Sequence, residues 1–190
     1  YQGAVTYAGT LDLNARSGTA LLHSRTGHAA LFLGNITNGT GGLTLNNSTA
    51  SLFSFLTGAN GGVTKTYSGT TILADNTSLV VYSAGSLGTS GALTIGTSTL
   101  ILQPGTTGAV VLAGGSTRTL TVTADKSPNF VVGAGGTLAI TGAIKGGTNT
   151  AARTFTKFGA GTLALRGANG TYTGATATFA NKMQVYGGKL

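Results

Sequence analysis

Gly161-Thr162-Leu163-Ala164-Leu165 carries the pattern that decides how the rest of the chain is read. In an extended strand successive side chains point to opposite faces. Leu163 and Leu165 therefore share one side, Thr162 and Ala164 the other, and Gly161 marks the corner before the run. The unit recurs as Gly42-Leu43-Thr44-Leu45 and Gly136-Thr137-Leu138-Ala139-Ile140, and in a longer form as Gly91-Ala92-Leu93-Thr94-Ile95 followed by Ser98-Thr99-Leu100-Ile101-Leu102. Short strands with one shared in/out pattern can stack, each over its equivalent in the next coil, pairing in parallel every ~4.8 Å. The expectation is an all-β chain folded as a parallel β-solenoid. Leu11, Leu13, Leu43, Leu45, Leu93, Ile95, Leu100, Leu102, Leu138, Ile140, Leu163 and Leu165 should face inward. An antiparallel β-sandwich could use the same strands and is the alternative, but it does not explain the repetition.

Working outward, residues 1–190 read as one domain holding two internal repeats, approximately 1–87 and 88–190. Each half closes on a Tyr landmark, Thr66-Tyr67-Ser68-Gly69 and Thr171-Tyr172-Thr173-Gly174, with Gly69, Gly161, Gly174, Tyr67 and Tyr172 as the corners of the repeat. Asn46 to Lys65 reads as an insertion, and Ala109-Val110-Val111-Leu112-Ala113 as a buried strand. The two ends match the interior as well. Gly3-Ala4-Val5-Thr6-Tyr7 with Gly9-Thr10-Leu11-Asp12-Leu13 aligns with the run from Gly91 to Leu102, and Val185-Tyr186-Gly187-Gly188-Lys189-Leu190 aligns with the segment from Val81 to Leu87. That is the register of a tandem array. At about 20–25 residues per coil the chain would supply eight or nine coils and rise on the order of 40 Å.

Composition agrees with strands and turns. Gly contributes 33 of 190 residues, Pro only 2, and charged residues 7% against about 25% in an average soluble domain. Thr, Val, Ile and Tyr suit a pleated surface, while Gly and Asn supply corners with positive φ. The 41% of hydrophobic residues sits in alternating runs, so low charge does not signal disorder, and little α-helix is expected. Cysteine is absent, which neither requires nor excludes an oxidising compartment. No apolar run approaches the ~18 residues of a membrane span, and the start at Tyr1 without a signal peptide reads as a mature or excised segment.

With those features in view, Lys157-Phe158-Gly159-Ala160-Gly161-Thr162-Leu163-Ala164-Leu165-Arg166-Gly167-Ala168-Asn169-Gly170-Thr171-Tyr172-Thr173-Gly174-Ala175-Thr176 resembles the autotransporter-associated β-strand repeat, also called the passenger-associated transport repeat. One residue is inserted before Tyr172, and Asn181 stands where the family prefers Gly. The resemblance implies a right-handed parallel β-helix, export across a bacterial envelope, and a place on the cell surface or outside the cell. It implies no catalytic activity, because the motif residues are corners and core positions.

The residues themselves offer little chemistry. Enzymes acting on acidic polysaccharides need clustered carboxylates for acid/base work or for calcium. Here Asp12, Asp75 and Asp125 are the only acids and lie far apart. Gly133-Ala134-Gly135-Gly136-Thr137 lacks the aspartate of a calcium-binding nonapeptide. His23-Ser24, with His28 and Asp12, forms no nucleophile elbow and reads as a polar loop. Neither Gly114-Gly115-Ser116 nor Gly146-Gly147-Thr148 leads into the Lys-Ser or Lys-Thr of a phosphate cradle. Thr121-Val122-Thr123 and Thr176-Ala177-Thr178 are too few for an ice-binding ladder, and the Asn-x-Ser/Thr sites, such as Asn76-Thr77-Ser78, arise readily in so Thr-rich a chain. No enzyme activity, cofactor or metal is expected.

The leading expectation is a structural unit of an extracellular bacterial fibre, sheath or biofilm matrix, either a separate subunit or a segment of a longer repetitive chain. It would join head-to-tail through Gly3, Val5, Tyr7, Leu11 and Leu13 at one end and Met183, Val185, Tyr186 and Leu190 at the other. The alternative is an adhesin passenger. Net charge is +8, and Lys65, Arg118, Lys126, Lys145, Arg153, Lys157 and Arg166 would contact anionic glycans or lipopolysaccharide rather than a specific nucleic acid.

Overall fold

A computed structural model describes residues 4–7, 9–14, 18, 20–24, 29–32, 35–37, 40–47, 51–55, 65–81, 84–88, 92–102, 108–111, 119–123, 126–142, 144–146, 154–165 and 182–189. Every strand pairing among them is parallel. The chain winds through three stations per coil. The first is an eight-stranded sheet of β1 (Ala4–Tyr7), β4 (Ala29–Phe32), β7 (Ser51–Phe55), β9 (Thr77–Val81), β11 (Thr99–Leu102), β14 (Asn129–Val132), β17 (Thr154–Phe158) and β19 (Lys182–Tyr186), in that order. The third station is a six-stranded sheet of β3 (Ala20–Ser24), β6 (Leu43–Asn47), β8 (Thr71–Leu73), β10 (Leu93–Ile95), β13 (Leu120–Val122) and β16 (Ile144–Gly146). Between them the second station holds the pair β2 (Leu11–Asp12) and β5 (Ile36–Thr37), and further along β12 (Gly108–Val111), β15 (Gly136–Ile140) and β18 (Thr162–Leu165). The fold is a parallel β-solenoid, and the antiparallel sandwich is excluded by the strand directions.

Two coils pass the second station without a ladder strand. In one, Thr66 and Tyr67 donate their N–H groups to the Ile36 carbonyl at 2.9 and 3.1 Å; in the next, a 3-10 turn covers Ala84–Leu87. Tyr67 has no exposed surface, and its hydroxyl meets the Thr71 hydroxyl at 2.6 Å. Its phenol supplies the partner that the buried Thr71 needs inside an apolar column.

Inward columns run along the solenoid. Leu79, Leu100 and Phe130 stack in the first sheet, and Leu43, Thr71, Leu93, Leu120 and Ile144 in the other. Phe130 and Phe155 stack with ring centroids 6.4 Å apart. Burying each Leu contributes roughly 1.5–3 kcal/mol, so stability comes from repeated columns rather than from one centre. Ten of the twelve residues expected inside are buried, and Leu11 and Leu165 pack against the core at its margin. Corners follow the expected chemistry. Asn14 and Asn76 sit at φ 52° and 62°, and Gly42 at φ 96° lies so close to the next coil that a Cβ there would strike the Thr70 backbone.

Several expectations change. Successive partners in the first sheet are Ala4, Ala29, Leu52, Ser78, Thr99, Asn129, Thr156 and Gln184, so coils vary from 21 residues (Ser78 to Thr99) to 30 (Thr99 to Asn129), and there are seven complete steps. The Asn46–Lys65 "insertion" contains β7, which pairs with β4 and β9 as an ordinary coil strand. Tyr67 is a core residue. The match of Gly3–Leu13 to Gly91–Leu102 aligns β1 with β10, strands of different sheets. Gly-led alternation is common to all stations, so sequence alone aligns any strand with any other.

Candidate functional site

The two outermost strands of the eight-stranded sheet, β1 and β19, stand at opposite ends of the solenoid and run in the same direction. Each has one strand neighbour among the described residues, β4 and β17 respectively. Three large side chains there are exposed: Tyr7 at 49%, Val185 at 42% and Tyr186 at 57%. Val185 continues the inward column of Leu100, Phe130 and Lys157. Tyr7 heads the column that passes through Phe32 and Phe55 to the fully buried Val81 and Leu102. Both therefore hold interior positions while bordering solvent. Tyr186 belongs to an outward row with Val131 and Phe158, and its ring stacks on Phe158 with centroids 5.3 Å apart and planes 11° from parallel.

The last described coil is tied down by a lysine. Lys157 has no exposed surface, and its ammonium donates to the Gly159 carbonyl of its own coil and to the Gly187 carbonyl of the next at 2.7 Å. Burial pushes its pKa below the ordinary lysine value. Gly159 and Gly187 have φ of 84° and 93°, which lets their carbonyls converge on the ammonium. Beyond them Lys189 bridges to Thr162 at the second station, its N–H donating to Gly161 and its carbonyl accepting from Leu163, both at 3.1 Å. Lys189 is exposed, and at the same station of the opposite end Asp12 is exposed and accepts the Asn14 N–H at 2.8 Å.

Of the interface residues expected from sequence, Val5 and Tyr7 lie in β1, Met183, Val185 and Tyr186 in β19, and Leu11 in β2, with Leu13 just after it and buried. Gly3 and Leu190 lie outside the described residues. Gly69 and Gly161 are pressed against the preceding coil: a Cβ on Gly69 would enter the Gly42 backbone, and one on Gly161 would lie 2.6 Å from Val132 Cγ1. Gly174 and Tyr172 lie outside the described residues. Lys157, Gly187, Lys189 and Asp12 were legible only as isolated residues, because their meaning depends on which coil lies beside which.

The expected cationic face loses members. Lys65 and Lys157 are fully buried, and Lys126 pairs with Asp75 at 2.5 Å. Partial burial works to raise the Asp75 pKa, but the Lys126 ammonium and the Thr97 N–H hold it below the usual carboxylate range. Lys145 lies in β16, and Arg118, Arg153 and Arg166 lie outside the described residues. His23 and Ser24 are strand residues paired with Asn46 and Asn47, not a loop. His28 and Asp125 lie outside the described residues. Among the described residues no three His, Asp or Glu side chains gather where a metal could sit, and no helix is long and apolar enough to cross a membrane. No protein-family model, curated protein or solved structure matches the chain.

Proposed function

We propose that the protein is a structural unit of an extracellular bacterial fibre or sheath, joined to its like end-to-end through the terminal strands of its eight-stranded sheet. The observation that carries this reading is the placement of β1 and β19: one sheet, one direction, opposite edges. A strand edge is a template for another strand, and two edges of matching polarity at opposite ends define a heterologous contact that does not close. Such contacts generate open filaments. The partly exposed interior positions Tyr7 and Val185 add apolar surface that a further coil would cover. The resemblance of Lys157–Thr176 to autotransporter-associated repeats supports the cell surface or its exterior as the setting.

Eight strands at ~4.8 Å give an axial repeat of about 38 Å per chain. Electron microscopy of the purified protein should show unbranched filaments with that repeat. Removing Tyr1–Leu13 should leave short soluble species. A wild-type protein that sediments as a monomer at all concentrations overturns the reading, and so do filaments that persist after the truncation.

A further inference from the structure

The fibre reading leaves open how the two ends meet, and the strand columns restrict it. We infer that the junction keeps the register of the interior coils, placing Val5 of one chain over Val185 of the next, Thr6 over Tyr186 and Tyr7 over Gly187. This inference rests on the proposed fibre and adds the identity of the contacts.

Three observations carry it. First, the columns run unbroken through the sheet. Val5 pairs into the column of Ala30, Phe53 and Leu79, which continues through Leu100 to Lys157 and Val185. Thr6 likewise enters the row that ends at Phe158 and Tyr186. A one-residue slip would put the interior column of one chain over the outer row of the next, so only even registers keep both faces matched.

Second, the unslipped register pairs large with small. The Tyr7 column passes Leu102 to Val132, and its last two places are glycines: Gly159 sits against the Val132 backbone, and a Cβ on Gly187 would meet only Gly159, at 3.5 Å. A tyrosine and a glycine of neighbouring coils already meet within the chain, there with the tyrosine in the earlier coil. A Cβ on Gly88 would lie 3.3 Å from two ring carbons of Tyr67 in the preceding coil, so a tyrosine ring rests on a glycine with φ of 78°. Gly187, at φ 93°, likewise carries no side chain to obstruct the Tyr7 ring.

Third, the second station carries opposite charges at its two ends, exposed Asp12 at one and exposed Lys189 at the other. Head-to-tail contact brings these together, whereas like ends meeting would oppose equal charges.

The chain has no cysteine, so an engineered pair reports the register directly. In-register neighbours on parallel strands lie ~4.8 Å apart, within disulfide reach. Full-length protein carrying Thr6→Cys and Tyr186→Cys should give a ladder of covalent oligomers on a non-reducing gel after mild oxidation. Thr6→Cys with Gln184→Cys, a two-residue slip on the same face, should give at least tenfold less. Asp12→Lys alone and Lys189→Asp alone should each raise the concentration needed for filament growth about fivefold, and the double exchange should restore it. A ladder favouring the Gln184 pair, or filaments of wild-type appearance with neither pair cross-linking and no charge-swap rescue, overturns the register and leaves the fibre intact. Absence of filaments from the wild-type protein sinks both.

Discussion

Leu100 and Val185 occupy the same column of the same sheet, three strands apart, and both are branched aliphatics. Leu100 has no exposed surface, while Val185 is 42% exposed. Nothing in the side chains accounts for the difference. Leu100 has a coil on each side, between β9 and β14, whereas Val185 has β17 on one side only among the described strands. In a globular core burial is shared among many elements; in a solenoid each coil is covered by its two neighbours, so a strand with one described neighbour leaves side chains of the interior column partly exposed. On the fibre reading the middle of the molecule answers for stability, and the ends for association.

The largest test of that division is Leu100→Asp. A carboxylate placed between the fully buried Leu79 and Phe130 gives up its hydration with an apolar neighbour on either side. The loss should be about 5 kcal/mol, enough to remove most of the stability of an ordinary domain. Urea unfolding followed by far-ultraviolet circular dichroism should show the transition displaced to very low denaturant or missing. A midpoint within error of wild type would mean the middle coils are not the stabilising region.

A smaller effect comes from Lys65, a cation enclosed in the middle region. Burial pushes its pKa from 10.5 down to about 8. The folded chain therefore releases this proton near pH 8, while the unfolded chain keeps it to about 10.5, so the unfolded state binds more protons across that window. Stability should rise with pH from about 8 to 10.5, by about 3 kcal/mol at most, and be lowest below 8, where the folded state must hold the charge. Lys157 is shifted the same way by burial, so the informative comparison is with Lys65→Met. That variant should flatten the rise. Equal slopes for the two proteins would show that Lys65 is not the titrating group.

The sequence made the strands and their inward faces legible because the signal is local: a period of two behind a glycine is visible without knowing what lies beside it. That is why Leu43, Leu45, Leu138 and Leu163 were assignable and prove buried. What lay beyond reach was the order of stations, since Ala4–Tyr7 and Leu93–Ile95 look alike yet belong to different sheets. Ser51–Phe55 escaped because its alternation lacks the leading glycine, so a full coil strand passed for an insertion. The candidate site was half legible. Tyr7, Val185 and Tyr186 stood out as apolar residues in terminal strands, but Lys65 and Lys157 read as surface cations, because only the fold shows which lysines the coils enclose.

A finer probe of the middle region is Tyr67→Phe. The ring stays in place, but the 2.6 Å contact with Thr71 is lost and a hydroxyl remains inside an apolar column. A cost of about 1–2 kcal/mol is expected in the same unfolding assay, with no change in filament length, since Tyr67 lies far from both end strands. Adding Thr71→Val should recover part of that loss, because removing both partners leaves no orphaned group. A double variant less stable than the sum of its two single changes would show that the pair is not the unit that matters.

The smallest effect on the single chain should come from Val185→Asp, the counterpart of the first substitution. Val185 is already 42% exposed, so its carboxylate can turn to water instead of entering a dry column, and the cost to the monomer should stay under about 1 kcal/mol. On association the same change costs more. In a junction of interior register it would stand between Lys157 of its own chain and Val5 of the next, enclosed by coils on both sides as Leu100 is now, but with a lysine in place of one apolar neighbour. Part of the penalty that Leu100→Asp imposes on folding is thereby transferred to the contact between chains. At about 3 kcal/mol it raises the concentration needed for assembly about a hundredfold, since each 1.4 kcal/mol is a factor of ten. Sedimentation velocity at fixed concentration should find folded Val185→Asp monomers where the wild type forms long polymers, with a urea midpoint close to that of the parent. Undiminished polymerisation would place the contact elsewhere on the molecule, and a lost urea transition would mean that the last coil belongs energetically to the middle and not to the ends.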